Sequence, residues 1–105
     1  MAWIYLILAG CFEIGWPVGL KMAQAPETRL SGIAIAIAFM SLSGLLLWLA
    51  QRQIPIGTAY AVWTGIGAAG TFFVGILHYG DPASMSRYLG VGLIIAGVVI
   101  LQLTH

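Results

Sequence analysis

Polar punctuation divides this sequence into four apolar runs, each long enough to cross a lipid bilayer. The first break is Lys21 to Arg29, which holds Pro26, Glu27 and Arg29. Gln51-Arg52-Gln53 followed by Pro55 makes the second, and His78-Tyr79-Gly80-Asp81-Pro82 the third. A hydrocarbon core of about 30 Å needs roughly 20 apolar residues per helix. The breaks therefore predict spans over 2–22, 30–51, 56–78 and 83–104, and 105 residues leave length for little else. The runs are continuous and do not alternate with period two, which favours helices over a β-barrel. Asp81-Pro82 reads as the start of the fourth helix, an Asp cap with Pro at the first helical position. The expected fold is an all-α integral membrane protein, one four-helix domain over 1–105.

Composition agrees. Hydrophobic residues make up 61% of the chain and charged residues 7%, against about a quarter charged in a soluble domain. Mean hydropathy is +1.02. A soluble catalytic domain, an enzyme active site and a cofactor fold are not expected, nor is a metal or other cofactor. A net charge of +1 offers no basic patch for nucleic acid. With Cys11 as the single cysteine, no intrachain disulfide can form. No Lys or Arg precedes Lys21, so the opening stretch reads as a retained membrane helix and not an export signal. Trp3, Tyr5, Trp48, Tyr79 and Tyr88 stand near span ends, where interfacial aromatics belong. Loops one and three carry Lys21, Arg29 and Arg87, whereas loop two carries Arg52. So small a bias predicts a chain able to insert both ways round.

Of the seven charged residues, only Glu13 falls well inside a predicted span. An ionised carboxylate at the bilayer centre costs about 2.5 kcal/mol or more, so such a residue normally faces a protein interior or a watery path for ions or protons. The alternative is a permanently neutral Glu hydrogen-bonded between helices. Pro17, four residues on, has no N–H to bond the Glu13 carbonyl, which leaves an acceptor beside the acid and should bend the span. Gly10 and Trp16 lie three residues to either side of Glu13 on roughly the same face. The glycine is expected to give room and the indole a wall and a donor, although Gly10 and Pro17 also suit ordinary membrane-helix packing.

In span three, Tyr60, Trp63, Thr64 and Gly67 repeat at three and four and form one stripe. A Tyr hydroxyl and an indole N–H inside a membrane need partners, which a cavity holding Glu13 would supply. Gly65 and Gly67 are candidate hinge residues, with close packing as the alternative. Span two offers Ser41 and Ser43, either of which could face Glu13 or simply bond its own helix. In span four, Gly90 and Gly97 flank Leu93 and Ile94 on a smooth face without a buried ionisable group, which suits helix–helix assembly.

Taken together, these residues resemble the small multidrug resistance family of four-helix exporters. The resemblance runs through Phe12-Glu13-Ile14-Gly15-Trp16, Gly19-Leu20-Lys21, the run Pro55 to Gly67 and the glycine heptad of span four. Gly10, Trp16, Gly19-Leu20-Lys21 and Trp63-Thr64-Gly65 look like its guanidinium-exporting subtype. The resemblance implies an antiparallel, dual-topology homodimer in a bacterial inner membrane that exchanges a small organic cation for protons. It matches Glu13 to a shared proton and substrate site. Trp16, Ser43, Tyr60 and Trp63 match residues around that site, and Gly90, Leu93, Ile94 and Gly97 match a dimerisation helix.

Chemistry makes the expectation concrete. Guanidinium is planar and rich in N–H donors that pair with carboxylates. Two Glu13 side chains facing one cavity would form a better cation site than one. Cations and protons would then compete for the same carboxylates. Trp16, Ser43, Tyr60 and Thr64 would favour donors such as guanidinium or guanylurea over quaternary ammonium ions, which bind through charge and aromatic contact alone. Three alternatives stay open at this point: a promiscuous quaternary ammonium exporter of the same fold, a proton-channel or rotor-type subunit, and a purely structural subunit.

Overall fold

The structure is a computed structural model and describes residues 1–104. Four helices form: α1 (Ala2–Met22), α2 (Arg29–Ala50), α3 (Ile56–Tyr79) and α4 (Met85–Thr104), with a short 3-10 turn at Pro26–Thr28. All four are long and apolar enough to cross a membrane. α1 runs unbroken through Pro17.

The fourth helix starts later than Asp81-Pro82 implies. Gly80 takes the left-handed conformation at φ 67°, which ends α3 where a side chain would be strained. The Asp81 N–H then bonds back to the Gly75 carbonyl at 3.0 Å, so Asp81 finishes α3 and does not start α4. Ser84 takes the cap instead. Its hydroxyl accepts from the Arg87 N–H at 3.3 Å, and its carbonyl accepts the first helical bond, from Tyr88 at 3.0 Å. That geometry satisfies donors which a helix start leaves open.

Lipid is as apolar as leucine, so close packing and not water exclusion must hold membrane helices together. The α1–α2 crossing depends on that. A β-carbon on Gly19 would lie 2.7 Å from both the Ala36 nitrogen and the Gly32 carbonyl oxygen. One on Gly32 would lie 2.5 Å from the Ala23 nitrogen. Both glycines therefore permit backbone-on-backbone contact. α3 packs on the other side of α1, and α4 packs chiefly on α3. The described chain measures 44 × 34 × 16 Å. The fold is therefore a slab, much thinner in one direction than in the other two.

Its tightest region lies at the loop-two end. Ala2 and Leu6 of α1 meet Ala50 and Ile54 and then Ala59 and Val62 of α3, with Leu6 fully buried. The helices alternate in direction, so Lys21 and Asp81 lie at the opposite end. Among the described residues, that end holds no comparable buried cluster. This asymmetry, closed at one end and open at the other, frames the site.

Candidate functional site

Glu13 sits one residue past the middle of α1 and is half-buried. It lines a cavity of about 280 Å³ with Pro17 of α1 and Thr64, Gly67, Ala68 and Thr71 of α3. Gly67 is required there. A β-carbon at that position would lie 2.5 Å from Glu13 Cγ, so the acid's stem rests on the bare backbone of α3.

Behind Glu13, three helices meet at one hydroxyl. Ser43 of α2 is fully buried. Its Oγ donates to the Ala9 carbonyl at 2.7 Å and accepts from Trp63 Nε1 at 2.7 Å. Glu13 Oε1 lies 3.4 Å from the same oxygen. A serine has one proton to give. The short bond to Ala9 takes it here, and Glu13 is the second acceptor within reach. The local reason is geometric, because Ala9 precedes Glu13 by one helical turn and presents its carbonyl beside the acid. Ser43 thus fastens α2 to α1, gives the Trp63 indole its acceptor and stands against the carboxylate. No buried side-chain polar atom among the described residues lacks a partner.

Other sequence candidates fall into different places. Ser43 and Trp63 join Glu13. Tyr60 is 56% exposed, and its ring lies 5.4 Å from that of Trp63 at 55°, so it reaches the site only through the indole. Trp16 is half-buried but is not among the residues lining the Glu13 cavity. Thr64 lines that cavity, yet its hydroxyl donates to its own helix, to Tyr60 O at 2.8 Å. Its proton is therefore spent within α3, while the lone pairs of the same oxygen stay able to accept from an N–H donor. Gly10 fits the packing alternative: it is buried, and a β-carbon there would lie 2.7 Å from Ile66 Cβ, so it lets α1 lie close against α3.

Gly65 and Gly67 stand inside an unbroken helix. A β-carbon on Gly65 would collide with Val98 of α4. Both positions therefore have a packing reason to be glycine. On α4, Leu93 is 66% and Ile94 40% exposed, and a β-carbon on Gly90 or Gly97 would meet nothing within 4 Å. Much of that face has no partner within the described chain, although Ile94 also approaches Gly65.

The sequence reading missed Ala68 and Thr71. The signal was present: Thr71 extends the Trp63–Gly67 spacing by four residues and so stays on the same helical face.

Four helices long and apolar enough to cross a membrane, with a half-buried carboxylate well inside the first, define a multi-pass membrane protein. Comparison with known proteins specifies the class. The model for the Small Multidrug Resistance protein family matches residues 1–94. Proteins named "Guanidinium exporter" from Citrobacter freundii and Salmonella typhimurium are each 50% identical to the chain, with 100% of both sequences covered. A protein of the same name from Yersinia pestis is 48% identical, with 98% of each covered. The chain belongs to the Small Multidrug Resistance family. Its relatives are named as exporters, which are transporters and not enzymes.

Proposed function

We propose that this chain exports guanidinium-like cations in exchange for protons, working as an antiparallel homodimer in the bacterial inner membrane. The observation that carries the reading is Glu13 itself. It is the one acid inside a span, and it opens on a cavity with Ser43 behind it. Relatives covering the whole chain and named as guanidinium exporters support the substrate class.

Coupling needs no further machinery. A carboxylate holds either a proton or a guanidinium, whose N–H groups match its two oxygens. Loading one releases the other, and a site that changes sides only when loaded performs exchange. Ser43 supports this by taking up either partner: its hydroxyl can turn from Ala9 to Glu13 when the acid is charged and bare.

Dimerisation completes the site. A slab 16 Å thick leaves one side of the Glu13 cavity uncovered, and a second copy would cover it with another carboxylate. Inverted-topology halves with substrate near the midplane are a recurring route to alternating access. The small charge difference between the two ends of the chain favours insertion in both orientations.

The test is guanidinium-driven proton flux in reconstituted vesicles. Wild-type protein should exchange the two, and E13Q should not. Driven exchange retained in E13Q would overturn the proposal. Competition by tetraalkylammonium ions in the same assay separates this reading from a promiscuous multidrug exporter, which would prefer the larger apolar cations.

A further inference from the structure

Glu13, Pro17 and Lys21 recur every four residues on α1, and Gly67, Thr71 and Gly75 recur every four on α3. Residues four apart share a helix face, so the two series run side by side. Their small members on α3 leave a groove. Pro17 and Thr71 line the Glu13 cavity, and both also line a second cavity of about 190 Å³ with Lys21, Gly75, Tyr79 and Asp81. Eight residues of helix separate Glu13 from Lys21, a rise of about 12 Å.

The outer cavity repeats the inner one in design. Glu13 rests on Gly67, and the Asp81 carboxylate occupies the space that a β-carbon on Gly75 would need. Asp81 is exposed, and its carboxylate has no hydrogen-bond or ion-pair partner among the described residues. Its backbone holds the loop through the bond to Gly75, so the charge is not needed for that turn. Beside it, Lys21 Nζ lies 5.8 Å from the centre of the Tyr79 ring. A cation therefore already sits on an aromatic face next to an unpaired acid.

We propose that Asp81 and Tyr79 form an outer station for the transported cation, with Lys21 as the tethered charge that it displaces. The proposal rests on the export reading and adds an approach route to it. An arriving guanidinium takes the Tyr79 face and the Asp81 carboxylate, while the Lys21 ammonium swings into water on its flexible stem. Lys21 keeps the station shallow, because a cation held there always meets a like charge nearby. A transport path needs such a site: favourable enough to enter, weak enough to leave. Pro17 and Thr71 then lead to Glu13.

Two measurements test it. First, guanidinium chloride is titrated into isotopically labelled E13Q in lipid nanodiscs, with sodium chloride at equal ionic strength as the reference. Without the inner acid, a saturable guanidinium-specific shift should remain at the Tyr79, Gly80 and Asp81 amides and disappear in E13Q/D81N. Second, D81N alone should raise the KM for guanidinium exchange about threefold, the scale of one exposed charge pair, with maximal rate retained and D81E restoring KM. A silent loop in E13Q, or an unchanged KM in D81N, would overturn the outer station and leave the Glu13 mechanism standing. Retained exchange in E13Q would instead strike the export mechanism, whatever the loop shows.

Discussion

Glu13 Cγ lies where Gly67 has no side chain, so near that a β-carbon on the glycine would be 2.5 Å away. The acid and the bare stretch of α3 are therefore one feature. Gly67→Ala should push the carboxylate off α3 and towards the cavity without unfolding the chain. Overpacking of this kind costs about 1–3 kcal/mol. Guanidinium affinity, measured by calorimetry in detergent, should fall about tenfold or more, whereas helicity by circular dichroism should not change.

Ser43 links three helices through one oxygen. Ser43→Ala removes the acceptor of the Trp63 N–H and a second donor to the Ala9 carbonyl, which keeps its helical bond, so the indole is left without its partner. An orphaned buried polar group costs about 1–3 kcal/mol. The midpoint of thermal unfolding in detergent should drop, and Trp63→Phe combined with Ser43→Ala should lose less than the two single losses added together.

The α1–α2 crossing rests on backbone contact, so its glycines are intolerant in a way that side-chain repacking cannot relieve. Gly32→Ala meets the carbonyl of Gly19 and the nitrogen of Ala23. It should destabilise the fold by about 1–3 kcal/mol, read as reduced resistance to unfolding by sodium dodecyl sulfate. Gly44→Ala is the matched control on the same helix, because its β-carbon would meet nothing within 4 Å.

On α4 the contrast runs the other way. A side chain at Gly97 meets nothing within 4 Å of its β-carbon in the single chain. Gly97→Val should therefore spare the fold of each copy. If α4 is the assembly face, the same change should abolish chemically cross-linked dimers in vesicles and transport with them. Dimers as abundant as wild type would place assembly elsewhere.

The order and length of the helices were legible because the bilayer imposes one rule on them: about 20 apolar residues between polar breaks. α1 and α3 end within a residue of their expected limits. The start of α4 was not legible, because Asp81-Pro82 carries the local signature of a helix cap. What decides the matter is a contact six residues back, from the Asp81 N–H to Gly75. Within the site, Glu13 stood out by cost alone. Thr64 and Gly10 were placed by the face they occupy, and a shared face does not record where a threonine proton goes or which side chain packs beside a glycine. Ser43 could be chosen over Ser41 only through the family resemblance. Its burial between Ala9 and Trp63 is a property of three helices, which no single stretch of sequence records.

A polypeptide 16 Å through in its narrowest direction has little depth with which to surround a guest. If its passage for cations is walled by two separate molecules, throughput inherits the mass action of their meeting. Diluting the protein in lipid should then lower the turnover of each remaining chain, and a cell could throttle efflux by expression level more steeply than in simple proportion.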